Sequence, residues 1–192
     1  MQTQQASSPQ VEAQWIRQIA KRDRGAFEQL YRAYERKLYR YLLGIVRSPE
    51  LAEELTGDVM IEVWKNASRY RGHAKPSTWI FGIAHNKGID VLRRRQPQVT
   101  ELHAVAGAPD PRPGPEAAAI DESERREVAA ALDALSAEHR GVLDLAFNNG
   151  CSQAEIAQIV GCPINTVKSR MFYAKQQLRQ VLERRGFRRE IS

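Results

Sequence analysis

A strongly basic stretch near the carboxyl end of the chain carries the side chains whose chemistry stands out first. Between residues 166 and 189 there are eight Lys and Arg residues against one acid, Glu183. The first turns of the helix predicted here carry small or basic side chains, namely Thr166, Lys168, Ser169 and Arg170. A slim, cationic helix start of this kind fits the major groove of DNA. We therefore interpret this segment as a DNA-recognition helix, with the solvated basic face of an ordinary helical hairpin as the alternative.

A second basic stretch, residues 64–95, mixes cations with aromatic rings. Asp90 is its single acid, and its cations are Lys65, Arg69, Arg71, Lys75, Lys87, Arg93, Arg94 and Arg95. Tyr70, Trp79 and Phe81 lie among them. Rings that stack on bases, next to cations that meet phosphates, are typical of surfaces that hold single-stranded nucleic acid. Alternatively, Trp79 and Phe81 belong to the core.

The helix predicted directly before this second basic stretch has the opposite charge. Residues 49–63 contain no Lys or Arg, and their acids are Glu50, Glu53, Glu54, Asp58 and Glu62. Such a helix repels DNA, so it indicates a protein partner with a basic surface. A solvated charged face is the alternative.

Apolar periodicity predicts that these stretches sit on helices of a first domain, residues 9–95. Apolar residues at steps of three and four mark a short first helix and a long second one over about residues 26–47. Ser48 followed by Pro49 predicts the start of a third helix, and Ser77 the cap of a fourth that runs to Arg95. Residues 96–120 contain five prolines and no apolar period, which predicts a flexible linker.

A second domain is predicted over residues 121–189. Ser136 caps a helix that stops before Gly150, and Ser152 to Glu155 form a capping box for a short helix that ends at Gly161. Asn165 is then expected to cap a last helix over residues 166–185. This is the anatomy of a helix-turn-helix. No segment alternates as a strand does, so the predicted fold is all-α, with two helical domains.

Composition limits the classes of function. The formal charge of +6 favours an anionic partner. We expect a cytoplasmic protein without membrane insertion, because no signal peptide or long apolar run is visible. Cys151 and Cys162 have neither zinc-ligand spacing nor neighbouring histidines, so we expect packing residues, no metal and no cofactor. No catalytic motif is found, and we expect no enzyme activity and no small-molecule substrate.

Four blocks together are recognisable: AFEQLYRAYERKLYRYL, AEELTGDVMIEVWKNASRYRG, KPSTWIFGIAHNKGIDVLRRR and CSQAEIAQIVGCPINTVKSRMFYAKQQL. In this order they resemble bacterial RNA polymerase sigma factors of the extracytoplasmic-function (ECF) group, over nearly the whole chain. The resemblance implies a polymerase subunit whose first domain binds the promoter minus-10 element and whose second domain binds the minus-35 element. It also implies an anti-sigma factor that holds the protein inactive.

The resemblance assigns roles to residues. Asn86 matches an asparagine near the pocket for a flipped minus-10 base, and an amide offers both a donor and an acceptor to a base edge. The other minus-10 candidates are Arg69, Tyr70, Arg71, Lys75, Trp79, Lys87, Arg93 and Arg94. The minus-35 candidates are Thr166, Lys168, Ser169, Arg170, Phe172, Tyr173 and Lys175. Glu54, Asp58 and Glu62 are expected to dock on the coiled coil of the polymerase beta-prime subunit, and the second domain on the beta flap.

Two positions depart from the pattern. Tyr173 stands where many relatives have arginine, and Ala154 where some have an acid, so the minus-35 sequence itself does not carry over. The main rival is a helix-turn-helix regulator that acts without being a polymerase subunit. Its first domain would be a receiver with alternating strands, and no such alternation is present in the sequence.

Overall fold

The structure is a computed structural model that describes residues 8–95, 128 and 130–184. The first domain consists of α1 (Pro9–Ala20), α2 (Arg24–Val46), α3 (Pro49–Asn66), a 3-10 turn (Ala67–Arg69) and α4 (Pro76–Arg95). The first three of these helices start at side-chain caps: Ser8, Asp23 and Ser48 each accept a hydrogen bond from the backbone amide three residues on, at 3.4, 3.0 and 3.3 Å. The start predicted at Ser48 and Pro49 is therefore confirmed.

The predicted cap of α4 is wrong. This helix begins at Pro76 rather than after Ser77, and the amide of Trp79 donates to the carbonyl of Lys75 at 3.1 Å. The reason is that proline at the first helical position loses no hydrogen bond and has its φ already set for a helix.

α2 is the central helix of the first domain. Its buried face, which includes Leu30, Tyr34, Leu38, Tyr41 and Leu42, packs against α1, α3 and α4. A Cβ atom at Gly88 would lie 3.1 Å from Ile45 Cγ2, so this glycine allows α4 to approach α2 closely. Phe81 is buried in this core, in an edge-to-face contact with Tyr41. The alternative that Phe81 is a core residue is therefore the correct one.

The second domain consists of α5 (Ala137–Phe147), α6 (Gln153–Val160) and α7 (Ile164–Arg184), and residues 130–133 are also helical. Ser136 caps α5 as predicted, accepting from the amide of His139 at 3.2 Å. Gly150 and Gly161 have φ values of 63° and 64°, the left-handed conformation expected of glycines at helix ends.

The cap predicted for α7 is also wrong. The helix begins at Ile164, and the amides of Thr166 and Val167 both donate to the carbonyl of Pro163, at 2.9 and 3.2 Å. Asn165 therefore lies inside the first turn, where its carbonyl accepts from the hydroxyl of Ser169 at 3.1 Å. The turn closes through backbone groups that no side-chain pattern reveals.

The two domains pack directly against each other. α2 contacts α5, and α4 contacts α6, so that Val142, Leu145 and Ile156 share one buried apolar core with the first domain. The predicted linker at 96–120 lies outside the described residues. Among the residues described, no strand is present, and the all-α prediction with two helical domains is confirmed. None of the described helices combines the length and the apolar character that crossing a bilayer requires.

Candidate nucleic-acid interface

The helix-turn-helix is built by α6, the turn at residues 161–163 and α7. Its first helix has the complete capping box: the hydroxyl of Ser152 accepts from the amide of Glu155 at 3.3 Å, and Glu155 Oε2 accepts from the amide of Ser152 at 2.8 Å. Gly161 then reverses the chain. α7 packs on α6 and α5, and its residues Val167 and Ala174 are buried, so the orientation of the predicted recognition helix is set by apolar contacts.

The first two turns of α7 present three of the predicted side chains to solvent. Lys168 and Ser169 are exposed, and Thr166 is half-buried. Arg170 differs from them, because it forms an ion pair with Glu138 on α5 at 2.9 Å, and its side chain is 25% exposed. Lys168 is therefore a cation that α7 offers outward, whereas Arg170 also ties α7 to α5.

Three large aromatic rings are exposed on α7 and at the end of α5. Phe172 and Tyr173 are 64% and 57% exposed and meet edge to face at 5.5 Å between ring centroids. Lys175 Nζ lies 5.2 Å from the ring centroid of Phe147, which is 67% exposed at the end of α5. Phe147 is a surface residue that the basic stretches of the sequence did not reveal, although its place just before Asn148 and Gly150, at the end of a helix, is a signal for exposure.

The loop that precedes α4 carries the first group of minus-10 candidates. Arg69 and Arg71 are exposed, whereas Tyr70 is half-buried and its hydroxyl donates to the carbonyl of Ala74 at 2.7 Å. The ring of Tyr70 packs on Trp79 at 5.2 Å, with the planes tilted by 39°. These two rings therefore support the loop, and of the three candidates Arg69, Tyr70 and Arg71 the two arginines are the exposed ones.

Lys75 points to the second domain. Its Nζ lies 2.6 Å from Glu155 Oε1, so Glu155 uses one carboxylate oxygen for the capping box and the other for Lys75. The hydrogen bond to Glu155 raises the pKa of Lys75. Burial acts to raise the pKa of Glu155, but the hydrogen bonds from Lys75 and Ser152 outweigh it, and the pKa is lowered. Both groups are thus held in their charged forms.

On α4, the remaining minus-10 candidates differ in their exposure to solvent and in their ion pairs. Asn86 is exposed. Arg93 and Arg94 are exposed near the end of the helix, and Arg93 pairs with Asp90 at 2.7 Å. Lys87 is the exception, because it lies against the acidic face of α3.

That acidic face is formed by Glu54, Asp58 and Glu62. Glu54 and Asp58 are exposed, and Glu62 is half-buried. Lys87 Nζ lies 3.1 Å from Glu62 and 3.9 Å from Asp58, so one predicted DNA contact is paired with two predicted protein contacts. Sequence periodicity did not indicate this meeting, since it depends on how α4 crosses α3.

Cys151 and Cys162 are both half-buried free thiols that pack against the core, as predicted. Burial raises the pKa of Cys151 to about 11, which keeps it as an unreactive thiol near neutral pH. In the parts of the chain that the structure describes, no three His, Cys, Asp or Glu side chains are placed to hold a metal ion.

Comparison with known families gives two matches, one for each of the two helical domains. The profile described as Sigma-70 region 2 matches residues 30–98, and that described as Sigma-70, region 4 matches residues 125–178. The ECF RNA polymerase sigma factor SigK of Mycolicibacterium vanbaalenii is 32% identical over 171 residues, which is 87% of each chain. The SigK protein of Mycobacterium ulcerans is 31% identical and covers 88% of this chain and 91% of its own.

Solved structures with the same fold come from complexes. The sigma factor RpoE of Bartonella quintana, bound to the anti-sigma factor NepR, superposes with a TM-score of 0.68 at 25% identity, over 82% of this chain and 96% of its own. CnrH, in complex with the cytosolic domain of CnrY, has a TM-score of 0.67 at 22% identity, over 90% and 97%. At that identity the second likeness concerns the fold alone.

Proposed function

This chain belongs to the ECF group of RNA polymerase sigma factors, and we propose that it binds core RNA polymerase and directs promoter-specific initiation through minus-10 and minus-35 recognition. In this role it is a specificity subunit that acts in the cytoplasm, and the chemistry of RNA synthesis belongs to the core enzyme. Its partners are core polymerase, promoter DNA and an anti-sigma factor. No cofactor is needed.

The observation that carries the proposal is the presence, on one chain, of two separate cationic surfaces of different chemistry. On α7, Lys168 and Ser169 stand outward at the start of a helix held by a capped helix-turn-helix, which suits paired DNA in the major groove. In the segment before α4, Arg69 and Arg71 are exposed on either side of Tyr70, whose hydroxyl is hydrogen-bonded within the loop. On α4 itself, Asn86 is exposed. Cations for the backbone and an amide for a base edge suit a melted strand.

The acidic face of α3 supports the third part of the proposal, docking on the beta-prime coiled coil. Glu54 and Asp58 are exposed. The free-energy cost of desolvating an exposed carboxylate is small when a basic partner approaches. Glu62 is already paired with Lys87. A basic partner helix therefore competes with Lys87 for Glu62, and docking releases Lys87 toward DNA.

The anti-sigma partner is proposed on two grounds. The structure of RpoE, the similar protein from Bartonella quintana, was determined with its anti-sigma factor NepR. In addition, Phe147, Phe172 and Tyr173 expose aromatic surface that a protein partner would cover.

The proposal is tested by reconstituting the full chain with core RNA polymerase and sequencing the 5′ ends of transcripts from a genomic template. We expect start sites that share a minus-10 and a minus-35 sequence and that core enzyme alone does not use. A chain that binds duplex promoter DNA tightly without polymerase, and leaves start-site selection unchanged, would identify a helix-turn-helix regulator instead.

A further inference from the structure

We propose that a groove between α1 and the 3-10 turn is a further binding site for single-stranded DNA, which holds the sugar-phosphate backbone next to the segment bound by the minus-10 loop. The minus-10 loop is the segment of residues 69–75 that precedes α4. The groove is formed by described residues of the first domain, whereas its place on a promoter rests on the proposed function.

One face of α1 forms the first wall of this groove. Gln14, Arg17, Gln18 and Lys21 recur at steps of three and four, so they lie on the same side of the helix, opposite the side that α1 buries in the core. The second wall comes from the 3-10 turn and the residue after it, with Ser68 and Tyr70. The space between the walls has a volume of about 530 Å³ and is open to solvent.

The side chains around the groove suit a phosphate backbone. Arg17 and Lys21 are exposed, and none of the described residues that line the groove is an acid. Over the described ranges, no carboxylate lies within ion-pair distance of either cation. Arginine, lysine, glutamine and serine side chains are common donors to the phosphates and sugars of nucleic acids. The groove therefore offers unpaired positive charge together with neutral hydrogen-bond donors.

Tyr70 connects the groove to the minus-10 loop. Its side chain lines the groove, and its hydroxyl donates to the carbonyl of Ala74 within the loop at 2.7 Å. Burial raises the pKa of Tyr70, and the positive charge of Arg17 opposes this rise, which agrees with a guanidinium close to the ring. Arg69 and Arg71, the neighbours of Tyr70, are exposed. A strand that leaves the loop therefore meets the groove directly.

The groove belongs to the first domain alone. α1 packs on α2, α3, α4 and the 3-10 turn, and all the residues that line the groove come from α1, the residue after it and the segment around the 3-10 turn. It is therefore accessible in the free chain, and its binding can be measured without polymerase.

The two cations are spaced to meet separate phosphates. Arg17 and Lys21 are four residues apart, which is roughly 6 Å along the helix axis. Two steps of a stacked strand cover about 7 Å. Such contacts hold the backbone without reading the sequence, and their strength depends on salt. Each phosphate contact on a single strand contributes about 0.7 to the slope of log K against log salt, so two contacts contribute about 1.4.

Four full-length proteins test the groove: the natural chain, Arg17→Gln/Lys21→Gln, Arg17→Lys and, as a matched control, Arg32→Gln/Arg40→Gln. The control removes two exposed cations of α2 that do not line the groove, so both double variants lose the same charge. Glutamine is a good helix former, and circular dichroism at 222 nm checks that each variant keeps its helices.

Fluorescence anisotropy of a labelled oligo-dT strand with the free proteins is the first measurement, made between about 50 and 200 mM salt. Arg17→Gln/Lys21→Gln should bind several-fold more weakly at the lower salt, with a slope smaller by about 1.4. Arg17→Lys and the control should keep the slope of the natural chain. A groove variant with the same slope as the control would overturn the site. An equal loss of affinity for the same strand paired with oligo-dA would overturn its assignment to single strands.

The second measurement places the groove on a promoter. Holoenzymes reconstituted from the four proteins are titrated onto fork-junction DNA from a promoter identified by start-site sequencing, with the non-template strand unpaired from the minus-10 element onward. The groove variant should bind this DNA several-fold more weakly than the control does. Equal affinities would overturn the place of the groove on the promoter. If the slopes separate in the first measurement and no holoenzyme selects start sites, the groove stands as a single-strand site and the proposed function fails.

Discussion

At the scale of single residues, the structure separates side chains that the sequence treats alike. Lys168 and Arg170 are both basic residues at the start of α7, yet Lys168 is exposed while Arg170 pairs with Glu138. The first is available to DNA at little structural cost. The second also connects two helices of its domain.

Lys168→Ala should weaken minus-35 binding and leave the thermal midpoint unchanged, because it removes a phosphate or base contact only. Arg170→Ala should weaken binding and also destabilise the fold by up to about 1 kcal/mol, the upper range for a partly exposed ion pair. Electrophoretic mobility shifts of the holoenzyme and thermal unfolding of the free chain measure the two effects. Equal thermal midpoints for both variants would contradict the role given to Arg170.

Asn86→Ala should impair promoter opening more than closed-complex formation, since its amide is proposed to meet a base only after the strands separate. Permanganate reactivity of unpaired thymines measures opening, and footprinting of the closed complex at low temperature measures binding. Gln29→Ala, which removes an exposed amide from α2, is the matched control and should change neither. A loss of closed complex as large as the loss of opening would count against this role.

At the scale of elements, caps and charged faces decide how the surfaces are presented. The capping box of α6 satisfies two backbone amides that the helix itself cannot. Ser152→Ala should therefore lower the free energy of unfolding by about 1 kcal/mol, the usual cost of losing such a cap. Denaturant titration measures this, with Gln153→Ala, an exposed substitution one residue on, as the control that should have little effect.

Asp58→Ala on the acidic face of α3 should reduce affinity for core polymerase several-fold, because an exposed carboxylate facing a basic coiled coil is lost. Glu53→Ala removes another exposed acid of the same helix that lies outside the proposed docking set, and should leave affinity unchanged. Fluorescence anisotropy of the labelled chain with core enzyme gives both dissociation constants. Unchanged binding by the Asp58 variant would remove the explanation for the acidic helix.

At the scale of the whole molecule, a histidine lies near the interface between the domains. His85 on α4 is 9% exposed, and its Nδ1 is 2.9 Å from the hydroxyl of Tyr41 on α2. Burial lowers the pKa of His85, Arg170 on α7 lowers it further, and Glu138 on α5 opposes them. Two of the groups that act on His85 thus belong to the other domain.

The packing between the two domains should therefore loosen in acid. A histidine whose pKa is lowered where the domains pack takes up its proton more readily when they separate, so the stability of this packing is present above about pH 6.5 and falls as the pH drops below it. Burial raises the pKa of Asp144, which acts in the opposite direction at lower pH. The radius of gyration measured by small-angle X-ray scattering should be larger at pH 5.5 than at pH 7.5 in the natural chain and the same at both in His85→Gln. An equal acid response in both would place the titrating group elsewhere.

Most of the helices and the charged surfaces can be predicted from the sequence, because the patterns that indicate them involve residues close together in the chain. Apolar spacing predicts the helices, and their starts are marked by Ser48, Ser136 and the capping box from Ser152 to Glu155. Clustered charges identify two basic surfaces and one acidic surface. The same locality explains the two wrong caps. Ser77 and Asn165 are residues that often cap helices, but the backbone at Pro76 and Pro163 starts each helix earlier.

Only the tertiary structure decided which charges are free and how the two domains meet. Three pairings join residues that are distant in the sequence: Lys87 with Glu62, Lys75 with Glu155, and Arg140 with the carbonyl of Gly44. The last two connect the two domains. The spacing of residues along one helix carries no information about which helix it will face. For this reason the sequence by itself determined the helices and the charge of their surfaces, whereas the tertiary structure determined that the two domains pack against each other.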